Sequence, residues 1–288
     1  MTNVKRISSL LLLLTAFIWG TAFVAQSMAT DYIGPWTYVF SRYIISATVL
    51  IPVSLISSKH YKPKEGEKKG SIRSYLLGGA TCGLFLALAS VAQQAGIKYT
   101  PAGKAGFITA LYVVLVPVFS LIIGRTQPKK LWISVVLGVV GLYLISVKEG
   151  FSIASSDLLV ILCAFIFAFQ IMSVDHFSVR LTNPVILANI QFAVVAIITF
   201  FGMLTEHTPA SAFREAGGSI LYAGVLSGAV AYTLQIVAQK NVEPAVASLI
   251  MSLEAVFSVL TGFVVLHQML TVRELVGCAL LFLAVVIV

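Results

Sequence analysis

The segment PAGKAGFITALYVVLVPVFSLII at residues 101–123 falls on PAVASLIMSLEAVFSVLTGFVVL at residues 244–266 when the chain is moved by 143 positions. Both segments begin with Pro-Ala, are largely apolar, and exceed the roughly 20 residues that a helix needs to cross a bilayer. The match continues without a gap, so that Gly141 falls on Ala284. The sequence therefore predicts a membrane-spanning chain with an internal repeat.

The composition supports the same class. The 288 residues are 59% hydrophobic and 10% charged, with a mean hydropathy of +0.99, whereas soluble domains carry about 25% charged residues. The net charge of +8 comes mainly from Lys and Arg in short loops, a pattern typical of lipid headgroup contacts. These values exclude a soluble enzyme, a disordered chain and a nucleic-acid-binding protein. The three cysteines lie in apolar runs at unrelated spacings, which indicates neither disulfides nor a metal site.

Apolar runs between charged or Pro/Gly breaks predict ten transmembrane helices, and no loop is long enough to fold as a domain. The predicted spans cover residues 7–28, 35–58, 74–96, 101–124, 131–147, 156–175, 184–204, 218–238, 244–266 and 271–288. Most basic residues in the loops lie on the side of the N-terminus. This bias predicts a multi-pass protein of the cell membrane with both termini in the cytoplasm.

The repeat divides the chain into two units of five spans, residues 1–148 and 149–288. Since five is odd, the second unit begins on the opposite side of the membrane, and the two units are predicted to be inverted repeats. Inverted repeats are typical of secondary transporters, in which the substrate binds near the midplane between them.

Short motifs along the chain resemble a known family. They are Trp19-Gly20, Arg42, Thr100-Pro101-Ala102, Pro117 and Leu253-Glu254. Together with the arrangement of spans, they resemble the EamA-type branch of the drug/metabolite transporter (DMT) superfamily. The resemblance implies ten helices around a central cavity, which helices one, three, four, six, eight and nine would line. It also implies transport of small organic metabolites, often amino acids.

Three positions depart from the family pattern. Where relatives often carry Gly-Glu after helices four and nine, this chain has Gly124-Arg125 and His267-Gln268, and Ala255 replaces a proline. A coupling or gating role of those glutamates is therefore not carried over to this chain.

Charged residues inside predicted spans are candidates for function because they are costly in the bilayer. Glu254 is the candidate coupling group, for a proton or a substrate amine; a neutral packing carboxyl is the alternative. Arg42 is interpreted as a structural charge that reaches the surface or fixes helix packing, since helix two is not expected at the cavity. Lys104 is either at the mouth of the cavity or among the headgroups.

Polar and aromatic residues supply further candidates. Tyr232, Gln235 and Gln239 share one helical face of the eighth span, and an amide occupies the equivalent third span. Either interhelical hydrogen bonding or cavity lining explains such stripes. Aromatic walls hold apolar groups or cations. The candidate substrate-cavity residues are Trp19, Gln94, Lys104, Tyr112, Phe169, Tyr232, Gln235 and Ser252.

The sequence predicts a secondary transporter, not an enzyme, that moves an amino acid or a related zwitterion or amine by alternating access. Proton coupling through Glu254 is left open, as is a homodimer. The absence of a Walker A motif argues against direct use of ATP, and no cofactor or metal is predicted. The expected partners are a small-molecule substrate and the lipid bilayer. The alternatives are a channel or facilitator, a membrane enzyme for a lipid-like substrate, and a sensory or scaffold protein.

Overall fold

The computed structural model describes residues 3–60, 70–100, 102–146, 157–267 and 269–288, and every regular element in these ranges is helical. The predicted boundary at residues 148/149 lies outside them, as do Lys62, Lys64, Lys68, Lys69, Pro101, Lys148 and Gln268. In chain order the helices are α1 (Asn3–Ala29), α2 (Pro35–His60), α3 (Ile72–Ile97), α4 (Ala102–Ala110), α5 (Tyr112–Ile122), α6 (Lys129–Ser146), α7 (Asp157–Arg180), α8 (Pro184–Met203), α9 (Ala210–Glu215), α10 (Gly217–Tyr222), a π-helix (Ala223–Tyr232), α11 (Thr233–Gln239), α12 (Pro244–Met251), α13 (Glu254–Leu266) and α14 (Val272–Ile287).

Among the described residues, nine helical segments are long and apolar enough to cross a membrane. Helical structure satisfies all backbone groups within a segment, as the hydrocarbon requires. The nine segments are Asn3–Ala29, Pro35–Lys59, Ile72–Ile97, Lys104–Ile122, Lys129–Ser146, Asp157–Arg180, Pro184–Met203, Gly217–Gln239 and Pro244–Val264. The chain is therefore a multi-pass membrane protein. The last helix, α14, has only 16 residues and packs along α6.

Several helices begin at residues that suit a helix start. Pro184 and Pro244 lie in the first turns of α8 and α12, where a missing N–H is harmless. Asn183 caps α8 by accepting a hydrogen bond from the Val185 N–H at 3.0 Å. At α14, Thr271 and Glu274 form a reciprocal capping box.

The fourth and ninth spans are both interrupted near their centres. Leu111 separates α4 from α5, and residues 252–253 separate α12 from α13. At both points the backbone uses the tighter i→i−3 bond, from the N–H of Leu111 to Ile108 and from that of Leu253 to Ile250, each 3.2 Å. Each interruption starts a new helix in the middle of the bundle.

The eighth span changes its winding instead of breaking. It runs from α10 through the ten-residue π-helix into α11. The π-helix packs on α2, where the Ser46 hydroxyl donates to the Gly224 carbonyl at 2.7 Å. Gly224 permits this approach, since a Cβ there would lie 3.1 Å from the Arg42 carbonyl oxygen. π-Helical segments occur frequently at functional sites.

Candidate functional site

A small cavity lies among the helices. Half of its lining residues precede residue 147 and half follow residue 156, so both parts of the chain build it. Its polar wall consists of Gln26, Arg42, Gln93, Thr109, Gln170, Ser227, Gln235 and Glu254, and its apolar and aromatic wall of Trp19, Phe23, Tyr112, Phe167, Ile171 and Tyr232.

Glu254 and Tyr112 meet across this cavity because of the two helix interruptions. Tyr112 is the first residue of α5, and Glu254 is the first residue of α13. The Tyr112 hydroxyl donates to the Glu254 carboxylate at 2.9 Å, and both side chains are buried. A carboxylate in the first turn of α13 also complements the dipole of that helix. The bond joins the fourth span to the ninth.

Arg42 also lies in the cavity wall, on a helix that the sequence did not assign to the cavity. Its guanidinium donates to the Ser227 hydroxyl at 2.8 Å and is 5.0 Å and 5.8 Å from the ring centres of Tyr43 and Tyr232. Only 4% of Arg42 is exposed, and its Nε has no hydrogen-bond partner. It does not reach the surface, because Ser227 and two aromatic rings hold it inside the bundle.

Arg42 and Glu254 do not pair with each other. Within the described part of the chain, the two ion pairs are Lys104–Asp157 and Arg125–Asp175. A buried charge is costly unless it is paired. The cavity thus presents a cation and a carboxyl to whatever occupies it.

Aromatic rings lie next to these charges. The Trp19 and Tyr232 ring centres are 4.6 Å apart, and the Trp19 indole donates to the Ser227 carbonyl at 3.2 Å. The ring centres of Tyr232 and Tyr43 are 6.1 Å apart. These contacts fix the rings, whose faces attract cations and apolar groups.

Amide side chains complete the wall. Gln93 donates to the Thr109 hydroxyl at 3.3 Å, and Gln235 donates to Gln170 at 3.4 Å. The sequence interpretation missed Gln26, Gln170 and several other lining residues. A lone amide within an apolar span, as Gln170 is in α7, was the available signal.

Five of the predicted site residues line the cavity, and their contact with a substrate stays a prediction. They are Trp19, Tyr112, Tyr232, Gln235 and Glu254.

The other four predicted residues are not among the residues that line the cavity. Lys104 forms its ion pair with Asp157 at 2.5 Å, Gln94 donates to the Gln26 carbonyl, and the Ser252 hydroxyl donates to Leu249 within the helix interruption. Phe169 is 44% exposed on the outside of α7. Phe167 and Gln170 lie on the face of α7 that is turned towards the cavity. Helical periodicity places Phe169 on the opposite face.

Comparisons with known proteins agree with this architecture. The EamA-like transporter family model matches residues 6–147 and again residues 154–288. A protein of Archaeoglobus fulgidus described as an uncharacterized transporter is 34% identical, over 99% of this chain and 87% of that protein. The uncharacterized transporter YoaV of Bacillus subtilis is 22% identical, over 92% of this chain and 90% of that protein. A solved crystal structure superposes with a TM-score of 0.76 at 17% identity, covering 98% of this chain and 96% of that one.

Proposed function

The chain belongs to the EamA-like transporter family of the drug/metabolite transporter superfamily, and we propose that it carries an amino acid or a closely related zwitterion across the cell membrane. Transport proceeds by alternating access between two inverted halves, with the cavity as the substrate site. Both termini lie in the cytoplasm.

The observation that carries this proposal is that Arg42 and Glu254 line one cavity and that neither belongs to an ion pair in the described part of the chain. A zwitterion satisfies both at once. The planar guanidinium of Arg42 matches a carboxylate, and the carboxylate of Glu254 matches an ammonium group. Trp19 and Tyr232 present aromatic faces beside them.

The packing of the helices supports the inverted halves. Moving the chain by 143 positions puts Leu111 on Glu254, so the two helix interruptions fall within two residues of each other. The first span packs against the eighth and ninth, as the sixth packs against the third and fourth. In this arrangement α14 is the tenth span and pairs with α6, its counterpart.

Glu254 links substrate binding to movement. Its hydrogen-bond partner in the structure is the Tyr112 hydroxyl. An incoming ammonium group competes for the same carboxylate and loosens the bond between the fourth and ninth spans. A proton on Glu254 would exclude the ammonium, which makes this carboxyl the place where proton coupling would act. The titratable groups around it are Tyr112, Tyr232 and Cys163.

The test is counterflow of labelled amino acids by the full-length protein in liposomes, with and without an imposed pH gradient. We expect saturable exchange that falls at least about tenfold in Arg42→Gln and in Glu254→Gln, since hydrogen bonds to charged groups are worth about 1.5–3 kcal/mol. Arg214→Gln and Glu215→Gln are the controls, because both residues are exposed on α9.

Two results would contradict the proposal. Flux that does not saturate and shows no counterflow would indicate a channel. Exchange that survives both cavity substitutions at the wild-type rate would remove Arg42 and Glu254 from the site. A response to the pH gradient that disappears in Glu254→Gln would assign the proton to this carboxyl.

A further inference from the structure

Three glutamine side chains from three helices form a chain of hydrogen bonds at one end of the cavity. Gln235 of α11 donates to Gln170 of α7 at 3.4 Å, and Gln170 donates to Gln191 of α8 at 3.4 Å. All three are at most 1% exposed. Gln170 and Gln235 line the cavity, and Gln191 lies behind them.

Within the described residues, the chain of amides leaves two buried atoms without a hydrogen-bond partner, the Gln191 nitrogen and the Gln235 oxygen. The side-chain oxygen of Gln235 is buried and has no hydrogen-bond partner. A buried polar atom without a partner costs about 1–3 kcal/mol. Gln235 lines the cavity, so its unpartnered oxygen is the acceptor that this assembly can offer to an occupant.

Gln235 lies further along the eighth span than Ser227, which marks the charged end of the cavity because it binds Arg42. Ser227 binds the guanidinium of Arg42, and Gln235 follows Ser227 by eight residues along the span. At the α-helical rise of about 1.5 Å per residue this is roughly 12 Å along the span. That is the region a substrate side chain reaches when the substrate carboxylate is bound at Arg42.

We propose that the Gln235–Gln170–Gln191 chain selects substrates whose side chain donates a hydrogen bond, namely hydroxyl and amide amino acids, over apolar ones of the same size. This inference rests on the proposed function. A hydroxyl or amide N–H donates to the free oxygen of Gln235, whereas an apolar side chain leaves that oxygen unsatisfied. Polar groups in such a site reject the analogue that cannot pair with them.

The test compares isosteric pairs, threonine against valine and asparagine against leucine, as competitors of counterflow by the full-length protein. Glycine serves as the probe of the charged end because it has no side chain. In the wild-type protein we expect threonine and asparagine to compete about tenfold better than their apolar partners. In Gln235→Met this preference disappears, with each competitor measured relative to glycine in the same variant.

Gln239→Met is the matched control. Gln239 lies one turn further along α11, is buried, donates to the Ile171 carbonyl at 3.1 Å, and does not line the cavity. It should keep the preference for hydroxyl and amide side chains.

Equal competition by threonine and valine in the wild-type protein overturns the inference, and this comparison requires no variant to fold. A preference that persists in Gln235→Met overturns it as well. If no amino acid competes, glycine included, the proposed function itself has failed, which distinguishes the two failures.

Discussion

Among the helix contacts that join the chain before residue 147 to the chain after residue 156, two are built differently. In the ion-paired contact, α4 and α5 pack on α7, with Lys104–Asp157 towards one end and Arg125–Asp175 towards the other. In the glycine contact, α1 packs on α12 and α13, and within the described residues no ion pair joins these helices.

The glycine contact is closest at its centre, next to the cavity. A Cβ on Gly20 would lie 2.6 Å from the carbonyl oxygen of Glu254, so the two backbones approach directly. The ion-paired contact is instead fastened near its ends. The ion-paired contact therefore resists separation near its ends, whereas the glycine contact is sensitive to changes at Glu254. We therefore expect the substrate to act on the glycine contact.

Removing a cation from the ion-paired contact should destabilise the protein most. Asp157 has a side chain only 2% exposed, and Lys104 neutralises it. Lys104→Met leaves a buried carboxylate without its cation and should lower the free energy of unfolding by about 3 kcal/mol. Thermal unfolding of the detergent-solubilised protein measures this, with Lys104→Arg as the charge-preserving control. An unchanged unfolding temperature would show that Asp157 does not need a cation.

Overpacking the glycine contact is the next largest change. Gly20→Ala forces a Cβ against the backbone of α13 and should cost about 1–3 kcal/mol, together with slower counterflow. Gly106→Ala in α4 is the matched control, because a Cβ there meets no atom within 4 Å. Alanine favours a helix over glycine by about 1 kcal/mol, so this control should be neutral or stabilising. Equal effects of both substitutions would remove the distinction between the contacts.

Tyr112→Phe tests the hydrogen bond at the point where the two contacts meet. The hydroxyl of Tyr112, on α5, binds Glu254, on α13. Its loss should cost about 1 kcal/mol. The unfolding temperature and the counterflow rate measure stability and transport separately. Ser248→Ala is a control of similar size, because the Ser248 hydroxyl bonds only to Ala245 in its own helix.

The smallest expected effect comes from the exposed ion pair. The Arg125 side chain is 43% exposed, and its partner Asp175 is 8% exposed. Arg125→Gln should cost less than about 1 kcal/mol, because solvent screens the pair. High salt should reduce the difference from wild type further. A loss as large as that of Lys104→Met would mean that exposure does not rank the two pairs.

Much of the fold was predictable, because long apolar runs have few alternatives in a bilayer. The all-helical fold and its transmembrane character follow from that constraint. The interruption at residues 252–253 contains neither proline nor glycine, so the local sequence does not predict a break in the helix there. The π-helix at Ala223–Tyr232 likewise has no signature in its sequence.

The site was predictable where a polar group stood alone in a span, as Glu254 does. Lys104 was interpreted without its partner, since Asp157 lies 53 residues away and only the fold brings them together. Phe169 was assigned by span alone, whereas helical phase decides which side of a span faces the cavity. Arg42 was interpreted as structural because its contact with Ser227 depends on the packing of α2 against the π-helix.

The π-helix makes the number of residues in the eighth span as important as their identity. Removing one residue between Ser227 and Tyr232 would change the winding of this segment and rotate all that follows relative to the part that binds Arg42. Gln235 would then turn away from the cavity without a single side chain being changed. In sequence comparisons among relatives, a one-residue gap at this place therefore marks a change of pocket, whereas a substitution at the same place need not.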